Sequence, residues 1–274
     1  MNLDLTLPSL PIHLRTFNEK IKWRMKNDRR KILTLLSDKL YLKKYSLDKF
    51  IKVPPTLFQT VNPKEINWKN FGDNFVLKAN HGSKWNIIVR DGIIINQPRT
   101  RGMNKDCVAS QLKGRKAKEV QDVMVEIAQQ WLLHKYEHGE WAYEGISPIV
   151  YVEELLPGNP VPDDLKFFVF HGKVRLCHVD TGRFNEFRST VYTADWKPLE
   201  ATIDYPQGPI QNPPRNLNEL LHTASSLSMG LDFVRVNLYN IDNQIYLGEM
   251  TFYPGAGKSV FNPPTLNEFL GHWW

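Results

Sequence analysis

Cysteine is nearly absent. Cys107 and Cys177 are the only two in 274 residues, too few for a disulfide framework or a paired-cysteine zinc site. They read as inert thiols in a reducing compartment. No apolar run reaches the roughly 18 residues that a membrane-spanning helix needs. The opening Met1-Asn-Leu-Asp-Leu-Thr6 lacks a basic stretch followed by an apolar one, so no signal peptide is expected and the cytoplasm is the expected location. Peripheral association with a membrane surface stays open. The eight histidines are scattered, and none has HExxH spacing. No Walker loop, helix-turn-helix, zinc finger or RNA-binding signature occurs, so nucleic acid is not an expected partner. Internal repeats and low-complexity tracts are missing too.

What is present is the composition of a globular protein, 42% hydrophobic and 23% charged. The net charge of +6 is concentrated in Lys20-Ile-Lys-Trp-Arg-Met-Lys-Asn-Asp-Arg-Arg-Lys31 and Lys113-Gly-Arg-Lys-Ala-Lys118. Such stretches suit an anionic polymer, a membrane surface or nucleotide phosphates. The first reads more simply as a solvated helix face.

Residues 10–50 carry a helical apolar pattern, stopped by Val53-Pro-Pro55. Residues 73–79 and 85–90 form a hairpin with a polar tip, Asn80-His-Gly-Ser-Lys84. Residues 92–115 read as a mobile loop. Val120, Val123, Met124, Ile127, Trp131 and Leu132 mark the buried stripe of a helix over 116–135. A strand spans 147–156. His171-Gly172 is a two-residue turn between two further strands. Residues 181–215 read as an irregular insert, and Leu217, Leu220, Leu221, Ala224 and Leu227 as another helix. Helices and antiparallel hairpins without a βαβ rhythm give an α+β fold.

The closing hairpin, Asp232-Phe-Val-Arg-Val-Asn-Leu-Tyr239 and Gln244-Ile-Tyr-Leu-Gly-Glu-Met-Thr-Phe252, carries the strongest chemical signal. Strand alternation puts Val234, Val236 and Leu238 on one face, and Arg235 and Asn237 on the other. A loop of Asp242-Asn243-Gln244 would set Asn237 opposite Glu249 and Arg235 opposite Thr251. A cation, a carboxylate and two neutral oxygen donors on one face suit an anion with a hard metal beside it. Lys78, on a strand beside the Asn80–Lys84 tip, can hold phosphate oxygens, with Ser83 and loop N–H groups covering them. Glu153 and Glu154 end an apolar strand where a backbone edge and a carboxylate can read a nucleoside. Lys166 is a further phosphate candidate. The alternative for each is ordinary: a surface ion pair, a lysine reaching solvent, exposed strand-end glutamates.

Taken in order, these pieces resemble the TupA-like ATP-grasp family, associated with cell-surface polysaccharide and teichuronopeptide synthesis. The carrying residues are Asp38-Lys39, Phe75-Val-Leu-Lys-Ala-Asn-His-Gly-Ser83, Val152-Glu-Glu-Leu155, Asp164-Leu-Lys-Phe167, Asp195-Trp196, Phe233-Val-Arg-Val-Asn-Leu-Tyr239 and Gly248-Glu-Met-Thr-Phe-Tyr-Pro-Gly255. The resemblance implies an ATP-grasp fold: a helical segment over 1–70, a small lid subdomain over 71–152 and a large subdomain over 153–274, with ATP gripped between the two subdomains. It implies ATP and Mg2+ as cofactors. Lys78, Lys166 and the loop Asn80, His81, Gly82, Ser83 and Lys84 would face the phosphates. Glu153, Glu154 and Leu155 would form the adenine hinge. Glu249, Asn237 and Thr251 would hold the metal, and Arg235 and Arg183 would steady the transferred phosphoryl group. Position 237 is Asn where the family pattern has Asp, which lowers the charge offered to magnesium.

The implied activity is a carboxylate–amine ligase working through an acyl phosphate. Its expected partners are a carboxylate-bearing glycan or precursor, such as a uronic acid in a cell-envelope polysaccharide, and an amine donor. The alternatives are a kinase or glycosyltransferase-like sugar-modifying enzyme on the same fold, and a nucleotide- or glycan-binding protein without catalysis.

Overall fold

The computed structural model describes residues 6–98, 112–134 and 139–274. Helices α1 (Phe17–Asn27), α2 (Lys31–Ser37) and α3 (Lys39–Leu47) come first. Strands β1 (Thr56–Thr60), β2 (Phe75–Ala79), β3 (Asn86–Arg90) and β4 (Ile93–Ile94), helix α4 (Gln121–Leu133) and strand β5 (Val150–Glu154) follow. Next are β6 (Asp164–Phe170), β7 (Lys173–Thr181), β8 (Arg188–Thr193), β9 (Thr202–Ile203) and α5 (Leu217–Leu227). The chain closes with β10 (Phe233–Ile241), β11 (Gln244–Thr251), β12 (Phe261–Asn262) and α6 (Thr265–Trp273). All strand-to-strand pairings among the described residues are antiparallel, so the fold is α+β, as the patterning indicates.

Two compact units form: Met1–Val53 with His138–Ala142 and Pro162–Trp274, and Pro54–Glu137 with Tyr143–Val161. We call them the discontinuous unit and the inserted unit. The helical start of the chain is thus part of the same unit as the C-terminal strands, not a separate segment running to residue 70.

In the inserted unit the sheet order is β1-β5-β2-β3-β4. Phe75, Leu77 and Ala79 alternate with Val76 and Lys78 along β2, and α4 turns Met124, Ile127, Ala128 and Trp131 inward. Burying a Phe, Leu, Ile or Met side chain among these contributes roughly 1.5–3 kcal/mol. A 3-10 turn at Ala117–Glu119 precedes α4, so the helix starts later than its periodicity predicts. Of the loop expected over 92–115, residues 99–111, including Cys107, lie outside the described residues. The part before them is tied down: Ile88 N donates to Asn96 Oδ1 at 2.7 Å, and Asn96 Nδ2 donates to Asn86 O at 3.0 Å.

In the discontinuous unit the sheet order is β11-β10-β6-β7-β8, with β9 and β12 paired separately. Strands β8 and β9 fall inside the stretch read as an irregular insert; the polar Arg188-Ser-Thr-Val-Tyr-Thr193 carries little apolar alternation to reveal an edge strand. Helix α6 was not foreseen either. A capping box starts α1, with Glu19 N donating to Thr16 Oγ1 and Thr16 N donating to Glu19 Oε2. Phe17, fully buried, meets Phe233 edge-on at 4.9 Å, with Phe168, Phe170, Phe261 and Trp274 within 6.2 Å. Helix α6 can lie this close because Gly271 has no side chain; a Cβ there would sit 2.0 Å from Arg15 O.

The basic stretch 20–31 is not simply a solvated face. Arg24 is fully buried; it donates to Asp232 Oδ2 at 2.6 Å and stacks over the Trp274 ring at 4.2 Å. Arg30 donates to Asp28 Oδ2 at 2.6 Å and to Asp232 Oδ1 at 2.7 Å. Lys20 Nζ donates to the carbonyls of Gly271 and Trp274. Much of the charge that looked external therefore anchors α1 and α2 to β10 and α6.

Candidate active site

One face of the discontinuous unit's sheet is polar. Across it, Glu249, Asn237, Lys166 and His178 stand side by side on β11, β10, β6 and β7, and Arg235 pairs with Thr251 in an adjacent row. Two β-bulges create this row. Both hairpins turn in two residues with positive φ, Asp242-Asn243 and His171-Gly172. Regular pairing from those turns would oppose Asn237 to Gly248 and Lys166 to Cys177. Instead the register slips by one at Gly248 and again at Arg175, and Glu249, His178 and Asp180 move onto the polar face. The Asn237–Glu249 and Arg235–Thr251 partnerships agree with the sequence reading, but a bulge produces them rather than a three-residue loop.

Glu249 Oε1 is the centre of the hydrogen-bonding. It accepts from Arg235 Nη2 at 3.3 Å, Asn237 Nδ2 at 3.3 Å and Thr251 Oγ1 at 3.0 Å. Arg235 also donates from Nε to Asn237 Oδ1 at 3.2 Å and from Nη2 to Thr251 Oγ1 at 3.0 Å. Burial alone would raise the Glu249 carboxyl, but Arg235, then Lys39 and Lys166, outweigh it and bring it down to about 2.

The burial of each ion pair's partners separates their roles. Asp180, 1% exposed, pairs with Lys166, 14% exposed. Asp164, 3% exposed, pairs with Arg183, 40% exposed, at 3.2 Å. In both, the carboxylate lies deep and the cation faces outward. The third pair is reversed: Arg235 is 16% exposed and Glu249 38%. The face therefore presents three part-exposed cations, Lys166, Arg183 and Arg235, and one carboxylate, Glu249. Asp164 raises the affinity of the Arg183 guanidinium for its proton. Asp180 is held below the usual carboxylate range: burial opposes this, but Lys166 beside it prevails. His178 is pushed down to about 4 by burial, aided by Lys166 and Arg235 against the pull of Asp180.

The oxygens of Glu249, Asn237 and Thr251 are hard donors of the type that suits Mg2+ completed by phosphate and water. Among the described residues no three His, Cys, Asp or Glu side chains gather to hold a metal. This trio brings a single negative charge, enough for one hard cation shared with a polyanion.

In the inserted unit, Lys78 on β2 pairs with Glu153 on β5; here too the carboxylate is the deeper partner, 3% against 23% exposed. Glu153 is thus occupied beneath Lys78. Glu154 is exposed, and its N–H donates to Pro55 O at 2.9 Å; Leu155 is half-buried. The loop after β2 is more fixed than its composition implies. Asn80 Nδ2 donates to Ser147 O at 3.0 Å, and Asn80 Oδ1 accepts from Ile149 N at 2.8 Å. His81 Nε2 lies 3.0 Å from Trp131 O, and its ring meets Trp85 at 4.9 Å. Asn80 and His81 are buried and face inward, while Ser83 is half-buried and Lys84 exposed. A Cβ on Gly82 would fall 2.3 Å from the Trp85 ring, so no side chain fits there.

Sequence reasoning missed Asp180, its hydrogen-bond partner Ser189, and Lys39 as a charge near Glu249. Asp164 was visible only as the start of a strand. Alternation around His171-Gly172 points His178 and Asp180 to the apolar side unless the Arg175 bulge is known. Asp38 and Trp196, quoted in the resemblance, have local jobs: Asp38 caps α3 through Leu40 N at 2.9 Å, and Trp196 stacks on Tyr192 at 4.6 Å.

Comparison with curated proteins finds no match. Among solved structures, D-alanine–D-alanine ligase from Bacillus anthracis complexed with ATP is 16% identical, with a TM-score of 0.44 over 81% of this chain and 55% of that one. D-alanine–D-alanine ligase from Helicobacter pylori is 17% identical, with a TM-score of 0.46 over 88% and 61%. The ATP-grasp ligase PsnB complexed with minimal precursor is 12% identical, with a TM-score of 0.42 over 81% and 54%. The chain therefore spans less than two thirds of each of these structures. Residues 19–274 fit the family described as TupA-like ATPgrasp. The chain belongs to the TupA-like ATP-grasp family.

Proposed function

We propose that this protein is an ATP- and magnesium-dependent ligase that joins a carboxylate to an amine through an acyl phosphate. The observation that carries the reading is the burial order on the discontinuous unit's polar face: Lys166 and Arg183 lie outward over buried carboxylates, and Glu249 is the one carboxylate of the three pairs that is itself exposed, beside a part-exposed Arg235. That pattern suits a polyphosphate with one hard metal. We assign phosphate contacts to Lys78 and Lys166, with Ser83, Gly82 and Lys84 covering them and Asn80 and His81 bracing the loop from within. We place Glu153, Glu154 and Leu155 near the nucleoside, with the Glu153 carboxylate holding Lys78. Arg235 and Arg183 steady the moving phosphoryl group. The inserted unit takes the role of the small, lid subdomain and the discontinuous unit that of the large one.

The chemistry needs those charges. A substrate carboxylate oxygen bonds to the γ-phosphorus as the bond to the ADP oxygen breaks, so an anion attacks an anion. Arg235 and Lys166 offset the repulsion at fixed positions. Magnesium held by Glu249, Asn237 and Thr251 would neutralise further phosphate charge. The amine then attacks the activated acyl carbon, loses a proton and releases phosphate. A uronic acid in a cell-surface polysaccharide or its precursor, met in the cytoplasm, is the acceptor class we propose. Asn237 favours one competing reading, nucleotide binding without turnover, because its amide adds no charge to the metal site.

Calorimetric titration of ATP, with and without Mg2+, tests the reading on the wild type, Lys78→Ala and Glu249→Ala. We expect magnesium-enhanced binding, weakened at least tenfold in Lys78→Ala and stripped of its magnesium dependence in Glu249→Ala. An unaltered magnesium response in Glu249→Ala would refute the metal assignment. ATP binding with no ADP release across a panel of uronic acids with amines would select the non-catalytic reading.

A further inference from the structure

The Lys166–Asp180 pair is built in more detail than an incidental ion pair. Asp180 sits on β7, and its side chain is 1% exposed. Its Oδ1 accepts from Ser189 Oγ on β8 at 2.7 Å, while Oδ2 takes the Lys166 ammonium from β6. His178 Nδ1 lies 3.7 Å from Oδ1. Three neighbouring strands thus fix one carboxylate, and that carboxylate fixes one lysine. A lysine head otherwise roams on a four-carbon stem, and ordering it costs side-chain entropy. Here the ordering precedes any ligand. An ammonium carries three donors, so engagement from beneath by Asp180 is compatible with phosphate contact from above. Lys166 stands directly beside Asn237 in the row that ends at Glu249.

We propose that Asp180 is a positioning residue for nucleotide binding: it acts through Lys166, holding the ammonium at the phosphate position, with Ser189 as its brace and without touching the ligand itself. The inference rests on the ATP reading above. Its distinguishing property is dependence on Lys166. A residue that merely supports the fold weakens binding whatever stands at position 166. A residue that acts through the ammonium has nothing to position once the ammonium is gone.

The experiment is a double-mutant cycle read by calorimetric titration of MgATP into wild type, Asp180→Asn, Lys166→Met and the double variant. Asp180→Asn is expected to weaken binding about tenfold, the typical weight of a charge-assisted contact, and to add nothing in the Lys166→Met background. Ser189→Ala, which removes one hydroxyl, should weaken binding a few-fold and likewise only while Lys166 is present; it replaces Asp180→Asn if that variant does not fold. Binding equal to wild type in these variants, or an equal loss in both backgrounds, overturns the proposal. A wild-type protein that does not bind MgATP overturns the nucleotide reading itself and the inference with it, and only that result does so.

Discussion

His178 is an imidazole kept neutral among charges. Burial, with Lys166 and Arg235 facing it, holds its folded value at about 4 against an ordinary 6.5. Between those two values the unfolded chain binds a proton that the folded chain refuses, so stability rises with pH across that window. The full shift is worth roughly 3 kcal/mol for a side chain this buried. We expect the thermal midpoint of the wild type to fall as pH drops from about 6.5 to about 4. His178→Gln should flatten that slope; an unchanged slope would mean that another group carries it. Below about pH 4.5 Glu249, and below about pH 4 Asp180, both depressed, add their own loss as they are forced to take protons. At this scale the sequence was informative where residue type alone decides. Lys78, Lys166, Arg235 and Glu249 are read correctly as polar residues on apolar strands. It was uninformative where pairing decides. Nothing local tells that Glu153 lies under Lys78, or that the loop residues Asn80 and His81 point inward to bond Ser147, Ile149 and Trp131.

The two hairpins of the discontinuous unit show the same limit at the scale of elements. Turn positions are legible because positive φ restricts them: His171-Gly172 marks its turn, while the closing hairpin turns in Asp242-Asn243 where the sequence reading has a loop that also takes Gln244. Helices α4 and α5 are legible because apolar spacing survives in any context. The bulges at Gly248 and Arg175 are not, since a strand with one extra residue keeps its composition and loses only its phase. At position 248 glycine has a local reason, because a Cβ there would come 3.0 Å from the Tyr239 ring. Deleting Gly248 should remove the bulge while keeping Leu247 opposite Leu238 and Glu249 opposite Asn237 in regular pairing. We expect that deletion to leave the protein folded and any magnesium dependence of ATP binding in place, measured by thermal unfolding and calorimetry. Magnesium dependence lost from a variant that still folds would show that the bulge geometry itself, beyond the Asn237–Glu249 partnership, sets the position of Glu249.

At the scale of the whole molecule, the basic stretch 20–31 shows why charge counts mislead. Composition records Arg24 and Arg30 as contributors to net charge, whereas in the fold they close a buried set with Asp28, Asp232 and the Trp274 indole, which donates to Asp232 Oδ2 at 2.7 Å. Asp232 is held well below the usual carboxylate range: burial alone would raise it, but Arg24 and then Arg30 prevail. Asp232→Asn leaves two buried guanidinium groups short of a counter-charge and is expected to destabilise the protein by roughly 3–5 kcal/mol. Chemical denaturation measures this, and a loss under about 1 kcal/mol would show that the set is dispensable. The same set also bears on how the chain is made. Arg24 is separated from Asp232 by 208 residues, so at about 5–20 residues per second the ribosome takes roughly ten seconds or more to deliver the partner. The inserted unit, which ends at Val161, is synthesised in full during that interval. Helices α1 and α2 therefore lack the carboxylate that their arginines share until the start of β10 is made.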